Sequence, residues 1–233
     1  IYPALGLEIF HNFTLLHDDI MDKAPLRRGM ETVYKKWNTN IAILSGDTMF
    51  ALAYEYMLKT NQDVIPDILK VLNRTAIEVC EGQQYDMNFE TQENVNISDY
   101  LEMIRLKTAV LLGACLKIGS IIAKTNEENI RRIYNFGLNL GIAFQLKDDL
   151  LDTYANDTKF GKVIGGDIST NKKTFLYLKA YELADKKQKE MLDYLFSLPE
   201  EENENKIKEV TALFNALNIK DHTEIELNKY QNI

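Results

Sequence analysis

The chain has 233 residues, of which 45% are hydrophobic, and a formal net charge of −8. That length and apolar content suffice for a folded core, whereas the acidic balance argues against nucleic acid as a partner, because phosphate backbones attract basic surfaces. No apolar stretch approaches the roughly 20 residues that cross a bilayer, so we expect a cytoplasmic protein without a transmembrane segment.

Helical spacing of apolar residues runs along almost the whole chain, as at Leu5, Ile9 and Phe13. No segment shows a convincing strand pattern, so the sequence predicts an all-α fold. Helices are predicted at about residues 2–22, 40–60, 65–89, 98–123, 127–154, 171–185, 187–198 and 202–217, with a last one from about 221. No linker divides the chain, and we expect one domain over residues 1–233 that lacks the N-terminal and C-terminal helices of a longer protein.

The first predicted helix ends in the sequence Asp-Asp-Ile-Met-Asp at residues 18–22. Carboxylates four residues apart lie on one face of a helix, about 6 Å apart along its axis. One stripe along this helix carries polar side chains at intervals of three, four and four residues, namely His11, Thr14, Asp18 and Asp22. Such charges beside apolar residues need a cation or solvent to compensate them. A metal site is one interpretation, and a solvated acidic surface near a helix end is the other.

A turn follows this helix and places two arginines beside its acidic end. Arg27 and Arg28 come after Pro25 and before Gly29. Guanidinium groups bind phosphate oxygens through paired hydrogen bonds, so the two arginines predict a phosphate site. The alternative is a surface ion pair between an arginine and a nearby aspartate.

The middle of the chain places polar and small residues inside apolar helices. A glycine costs about 1 kcal/mol relative to alanine in a helix, so Gly82 and Gly141 indicate close helix packing or access to a cavity. Lys107 lies mid-helix with apolar residues on both sides. Two cysteines, Cys80 and Cys115, stand in apolar helical surroundings, which predicts buried free thiols and not a disulfide or a zinc site.

A second Asp-Asp-x-x-Asp sequence occupies residues 148–152, near the end of the fifth predicted helix. Its stripe carries polar or small residues at intervals of four, three and four, namely Gly141, Gln145, Asp148 and Asp152. If this stripe opposes that of the first helix, the carboxylates supply oxygen ligands to Mg²⁺, which prefers carboxylates together with substrate phosphates. A diphosphate is the simplest polyanion for such a site.

A glycine-containing stretch with several lysines follows the second acidic sequence. It covers residues 160–167, and its lysines and those around it are Lys159, Lys162, Lys172 and Lys173. A loop of this kind can fold over a bound phosphate and exclude water. The alternative is a set of solvated loop lysines.

Five sets of residues in this order and spacing carry a family resemblance. They are residues 17–22 with 27–29, Gly82-Gln83 with Asp86, Lys107-Thr108, residues 144–152, and the loop with Gly161-Lys162, Gly166-Asp167 and Lys172. Over nearly the whole chain they resemble the trans-isoprenyl diphosphate synthases, also called polyprenyl synthetases. The resemblance implies an isoprenoid synthase-type antiparallel helical bundle around a central cavity. It also implies a Mg²⁺-dependent enzyme, usually a homodimer, that joins isopentenyl diphosphate head to tail to an allylic prenyl diphosphate.

The resemblance assigns the six aspartates to a magnesium site. The residues that would hold three Mg²⁺ ions on the allylic diphosphate are Asp18, Asp22 and Asp148. The residues that would support these ligands through hydrogen bonds or water are Asp19, Asp149 and Asp152.

The resemblance also assigns the cationic and polar side chains. Those that would bind the allylic diphosphate are Arg27, Lys107, Lys162 and Lys172. Those that would bind the diphosphate of isopentenyl diphosphate are His11 and Arg28. The oxygens that would face the allylic cation belong to Gln145, Thr108 and the Lys107 carbonyl. The released pyrophosphate would accept the final proton, so His17 is interpreted as a supporting or packing residue.

Product length is expected to depend on side chains that lie deeper along the first helix. Phe13 and Thr14 precede Asp18 by five and four positions, where the family forms the floor of its elongation cavity. An aromatic residue at the first position only, with no insertion within residues 18–22, is similar to the archaeal-type geranylgeranyl enzymes. We therefore expect a C15 to C20 product. The alternative is that Phe13 is simply a residue of the apolar core and does not limit product length.

Other functions fit parts of the pattern. A terpene cyclase also uses a first aspartate-rich sequence, but its second one normally mixes Asn, Ser or Thr with Glu. A non-catalytic regulatory subunit of a synthase generally loses one aspartate sequence, and a purely structural bundle would bind no diphosphate. The Gly-Gly-Lys-x-x-Arg-Pro-like segment with which the family binds isopentenyl diphosphate has no counterpart here, and we expect it upstream of Ile1.

Overall fold

The computed structural model describes residues 1–92, 94–155, 165–198 and 203–231. The first part of this chain forms α1 (Tyr2–Met21), β1 (Leu26–Arg27), β2 (Met30–Glu31), α2 (Val33–Lys36), α3 (Thr39–Leu58) and α4 (Ile65–Thr91). The middle forms α5 (Ile97–Ile104), a π-helical turn (Arg105–Ala109), α6 (Val110–Ile122) and α7 (Glu127–Tyr154). The last part forms α8 (Gly166–Ser169), α9 (Phe175–Leu183), α10 (Lys186–Leu195), α11 (Asn203–Ala216) and α12 (Ile219–Gln231).

The all-α prediction is confirmed, and every predicted helix overlaps a helix of the structure. The start of α5 shows why local signals located these helices well. The backbone N–H of Asp99 donates to the Asn96 side chain at 3.0 Å, and the backbone N–H of Asn96 donates to the Asp99 carboxylate at 3.2 Å. This reciprocal capping satisfies N–H groups that a helix start leaves without intrahelical partners.

Three local predictions were wrong. The turn at residues 26–31 is a small antiparallel hairpin, although no strand was expected. The helix predicted at 171–185 begins only at Phe175, because Asn171 adopts a positive φ of 60° that interrupts helical backbone. The thiols of Cys80 and Cys115 are exposed, since each lies on a helix face that the described chain leaves uncovered.

The described chain divides into two compact units, and α4, α6 and α7 contribute to both. The first comprises Ile1–Glu78 and Leu111–Gly137. In it α1 packs along α3 so closely that a Cβ on Gly6 would stand 2.9 Å from the Ala53 carbonyl oxygen. An aromatic cluster fills this contact, and its members are Phe10, Phe13, Phe50 and Tyr54.

The second unit comprises Val79–Val110 and Leu138–Ile233. One of its buried clusters joins α5, α7, α9 and α12, and it includes Tyr100, Ile104, Leu146, Phe175 and Leu227. A second cluster joins the end of α7 to α9, α10 and α11, and it includes Leu150, Leu176, Leu192, Val210 and Phe214. Burial of such side chains stabilises the unit by about 1.5–3 kcal/mol each relative to exposure, so both clusters anchor the end of α7 that carries the second aspartate sequence.

The π-helical turn interrupts what the sequence predicted as one helix over residues 98–123. Two glycines of neighbouring helices touch its backbone. A Cβ on Gly82 of α4 would stand 2.3 Å from the Lys107 nitrogen, and a Cβ on Gly141 of α7 would stand 2.4 Å from the Ala109 Cα. Both distances are below any real Cβ contact, so only glycine permits this packing. Turns of this kind are frequent at functional sites, and this one carries Lys107 and Thr108.

Among the helices of the described ranges, none has the length and apolar character needed to cross a bilayer.

Candidate active site

The first aspartate sequence lies at the C-terminal end of α1. Asp18 is half-buried, Asp19 is 5% exposed, and Asp22 is exposed at the helix cap. Burial raises the pKa of Asp19, and its hydrogen bond to Arg27 opposes that effect. The helix end itself carries partial negative charge, so these carboxylates form a strongly anionic surface that favours a cation.

Arg27 bridges two of these aspartates. Its Nε donates to Asp19 Oδ1 at 2.8 Å, and one terminal nitrogen donates to Asp18 Oδ2 at 3.3 Å. The ion pair considered for this turn is thus formed, in a partly buried position with the Arg27 side chain 34% exposed. A guanidinium carries five N–H donors, and these contacts use two of them.

The hairpin separates the two adjacent arginines. Leu26 pairs with Glu31 and Arg27 with Met30, while Arg28 and Gly29 form the turn with φ of 53° and 76°. Two consecutive positive φ values define the turn type that best matches the twist of a hairpin. Arg27 therefore turns toward the acidic helix end, whereas Arg28 is exposed at the tip.

The polar side chains predicted to line one face of α1 make contacts within the first unit. The Thr14 hydroxyl donates to the His11 carbonyl oxygen at 2.8 Å, and His11 Nδ1 lies 3.9 Å from the Glu8 carboxylate. His17 Nε2 lies 3.2 Å from the Ile43 carbonyl oxygen, and its ring packs on Gly46. Because a Cβ on Gly46 would stand 2.2 Å from that nitrogen, His17 contacts α3 closely.

The second aspartate sequence lies on α7 in the second unit, where a further carboxylate joins it. The Asp167 backbone N–H donates to Asp152 Oδ2 at 3.0 Å. Burial, followed by the neighbouring charges of Asp152 and Asp149, raises the pKa of Asp167 to about 7. Burial is also the main cause that raises the pKa of Asp149 to about 6. Anionic charge is thus crowded at this point of the unit.

The π-helical turn contributes the other side chains predicted for the site. Lys107 Nζ donates to Asp86 Oδ2 at 2.6 Å, which ties the turn to α4. The Thr108 hydroxyl donates to Gln145 Oε1 at 3.3 Å. Thr108 and Gln145 come from elements that are separate in sequence, yet the fold brings their oxygens together.

Sequence reasoning missed one residue of this site, Tyr100. Its hydroxyl donates to Asp149 Oδ2 at 2.5 Å, and both side chains are 3% exposed. No local signal indicates the contact, because Tyr100 occupies an apolar position of α5. Asp86 and Asp167 stood in the motifs that carried the resemblance, but their contacts to Lys107 and Asp152 were not predicted.

Lys172 lies beside a small cavity of about 40 Å³ in the second unit. The residues around this cavity come from α4, α5 and the segment before α9, and they include Asp86, Tyr100, Asn171 and Lys172. The positive charge of Lys172 lowers the pKa of Asp167, against the raising effect of the aspartates. Lys173 Nζ donates to the carbonyl oxygens of Phe89, at 3.0 Å, and of Gln92. The predicted Lys162 lies outside the described residues.

The aspartates suit Mg²⁺ by chemistry, although the described residues form no complete metal cage. Within the ranges that the structure describes, no group of three or more His, Cys, Asp or Glu side chains is arranged to hold a metal ion. Mg²⁺ keeps several waters and is usually bound by one or two carboxylates together with substrate phosphates. Burial raises the pKa values of Asp149 and Asp167, and the charges of neighbouring aspartates raise them further. This fits a site where a cation compensates the charge.

Comparison with known proteins places these features in a family. The family model for polyprenyl synthetases matches residues 2–214. A geranylgeranyl diphosphate synthase of Methanosarcina mazei is 42% identical over 181 residues, which are 77% of this chain and 56% of that protein. A geranylfarnesyl diphosphate synthase of Natronomonas pharaonis is 41% identical over 179 residues, 76% of this chain and 52% of that protein. The chain thus spans about half the length of these curated relatives.

Solved structures are similar over almost the entire chain. A crystal structure of a geranylgeranyl pyrophosphate synthase has a TM-score of 0.94 and 46% identity, with 99% of this chain and 72% of that chain covered. The geranylgeranyl pyrophosphate synthetase from Pyrococcus horikoshii has a TM-score of 0.92 and 38% identity, with 99% and 70% covered.

Proposed function

The chain belongs to the polyprenyl synthetase family, and on that premise we propose that it is a trans-prenyltransferase that condenses isopentenyl diphosphate with an allylic diphosphate. The names of its relatives, geranylgeranyl and geranylfarnesyl diphosphate synthase, support this activity. The observation that carries the proposal lies in the second unit. There Gln145 stands one turn before Asp149 and meets Thr108, so two side-chain oxygens lie beside a crowded set of carboxylates.

We propose that both aspartate sequences bind Mg²⁺ together with the allylic diphosphate. The ligands would be Asp18, Asp22 and Asp148, supported by Asp19, Asp149 and Asp152. Bound Mg²⁺ would stabilise the negative charge of the departing pyrophosphate. The proposed count of three ions follows from the family resemblance.

The chain's own residues would bind the substrates and stabilise the reacting carbon. The side chains proposed for the allylic diphosphate are Arg27, Lys107, Lys162 and Lys172, and those for isopentenyl diphosphate are His11 and Arg28. When the allylic C–O bond breaks, its electron pair leaves with pyrophosphate. The oxygens of Gln145 and Thr108 would then stabilise the allylic cation.

The remaining steps need no further protein base. The double bond of isopentenyl diphosphate attacks the allylic carbon, which forms a new C–C bond and a second cation. Loss of a proton to the released pyrophosphate restores a double bond. This proton route agrees with His17, the histidine nearest the first aspartates, being packed against α3.

We propose a C15 to C20 product, with the floor of the elongation cavity at Phe13 and Thr14. Phe13 packs against Phe10 and Phe50 with tilted rings at centroid distances of 5.6 and 5.1 Å, so it is part of an aromatic wall. The name of the Methanosarcina mazei relative, a geranylgeranyl (C20) diphosphate synthase, supports this length, whereas the name of the Natronomonas pharaonis relative denotes a C25 geranylfarnesyl product.

Phe13→Ala is expected to lengthen the product by at least one C5 unit, because the smaller side chain opens the wall. Chromatography of the dephosphorylated products measures the length. Phe136→Ala is the matched control, since it removes the same ring from an exposed position on α7 that is 54% exposed. Equal product lengths for the wild type and Phe13→Ala would show that Phe13 does not form the floor of the elongation cavity.

Chromatography of products made from isopentenyl diphosphate with the C5, C10 and C15 primers tests the proposed function. We expect extension of at least one primer to C15 or C20 in the presence of Mg²⁺. Extension by the purified protein alone also separates a synthase from a regulatory subunit. The homodimer and the cytoplasmic location stay predictions.

A further inference from the structure

Four side chains of the second unit form one continuous chain of hydrogen bonds, here called the Gln145 network. The Tyr100 hydroxyl donates to Asp149 Oδ2 at 2.5 Å. Gln145 Nε2 donates to Asp149 Oδ1 at 3.1 Å, and Gln145 Oε1 accepts from the Thr108 hydroxyl at 3.3 Å. The network therefore leads from α5 through α7 to the π-helical turn.

The far end of the network is buried in the core of the second unit. Tyr100 and Asp149 are each 3% exposed, and Tyr100 packs in the same buried cluster as Ile104, Leu146 and Phe175. Both oxygens of Asp149 accept a hydrogen bond from a side chain. A buried polar network in which each member has a partner holds its side chains in one arrangement.

The direction of the hydrogen bonds determines the orientation of the Gln145 amide. A carboxylate only accepts hydrogen bonds, so Asp149 requires the NH₂ end of Gln145. The carbonyl end must then face Thr108. If the amide turned by 180°, its NH₂ end would lie where its oxygen now lies. Near a developing carbocation, an N–H dipole is destabilising and a C=O dipole is stabilising.

We propose that Tyr100 and Asp149 are positioning residues that fix the Gln145 amide with its oxygen toward the allylic cation. This inference rests on the proposed function, in which Gln145 stabilises that cation. It gives Asp149 a role beyond support of the metal ligands: its oxygens hold the amide, and Tyr100 holds Asp149. Tyr100 thereby influences the reaction although it is buried in the core.

Tyr100→Phe tests the inference, because it removes the hydroxyl and retains the ring that packs in the core. We expect kcat to fall by about 10- to 100-fold, the usual range for partners that orient a functional group, with KM for both substrates changed by less than about twofold. Tyr181→Phe is the matched control. It also removes a hydroxyl that donates to a carboxylate, Asp193 at 3.5 Å, but lies outside the network.

A double-mutant cycle with Gln145→Ala separates positioning from a general structural effect. If Tyr100 acts through Gln145, Tyr100→Phe lowers kcat in the wild type and has little further effect in Gln145→Ala. Asp149→Asn allows the amide to pair in either orientation and decides the question if Tyr100→Phe does not fold. Its loss of kcat should be larger in the wild type than in Gln145→Ala, where only the loss through its support of the metal ligands remains; equal losses in the two backgrounds would overturn the inference.

Independent, multiplicative losses in the cycle would overturn the inference while leaving the proposed function intact. So would a Tyr181→Phe variant that loses as much activity as Tyr100→Phe. Absence of prenyl transfer in the wild-type protein with Mg²⁺ and every primer would instead overturn the proposed function, and the inference with it.

Discussion

Asp18→Ala is expected to lower the kcat of prenyl transfer by at least about 10³-fold, because it removes a proposed Mg²⁺ ligand from the end of α1. The fold should remain intact. Arg27 keeps its shorter hydrogen bond, to Asp19 at 2.8 Å, when the bond to Asp18 at 3.3 Å is lost. Steady-state kinetics with saturating Mg²⁺ and both substrates measures the loss, and thermal unfolding measures stability.

Two further variants make this result specific. Asp18→Asn keeps the size of the side chain and an oxygen that can accept from Arg27, yet it should also be nearly inactive because it lacks the charge. Asp67→Ala removes an exposed aspartate near the start of α4 and should keep full activity. If Asp18→Ala retained more than a tenth of the wild-type kcat, the first aspartate sequence would not hold the metal.

Gly82→Ala is expected to destabilise the second unit and to displace the π-helical turn. The added Cβ would stand 2.3 Å from the Lys107 nitrogen and 2.7 Å from the Leu106 carbonyl carbon, and both are backbone atoms that cannot rotate away. Overpacking of this kind costs about 1–3 kcal/mol or more. A displacement of Lys107 and Thr108 should also lower kcat, because misplacement by about 1 Å costs roughly 100-fold.

Gly119→Ala is the matched control, since no atom of the described residues outside its own stretch of α6 lies within 4 Å of the Cβ it would add. It should be neutral or slightly stabilising, by up to about 1 kcal/mol, because alanine favours helix. Thermal melting and kinetics of the two variants form one comparison. Equal stability and activity for Gly82→Ala and Gly119→Ala would show that the close packing at the turn is not needed.

The sequence predicts the helices well because burial imposes a helical period on apolar residues. It does not predict the π-helical turn at Arg105–Ala109, because apolar residues lie on both sides of the turn and residues 98–123 have the pattern of one helix. The contacts that hold the turn come from Gly82 and Gly141, which lie on other helices. A glycine in a helix indicates a close contact but not its partner.

The candidate site is likewise predictable from the sequence only in part. The aspartates and the arginine pair are visible as motifs, yet the different directions of Arg27 and Arg28 depend on the φ angles of a two-residue turn. Tyr100 reads as an ordinary core residue, because its partner Asp149 is 49 positions away. Hydrogen bonds between distant elements follow from the packing, and a single sequence carries little information about them.

The most direct test of the proposed function is product formation from an allylic C10 diphosphate with and without isopentenyl diphosphate, each with and without Mg²⁺. Organic products and pyrophosphate are quantified together. We predict a chain-extended diphosphate only when Mg²⁺ and both substrates are present, with one pyrophosphate released for each isopentenyl unit added. A hydrocarbon or alcohol formed from the allylic diphosphate without isopentenyl diphosphate, and no chain extension when it is supplied, would contradict the account.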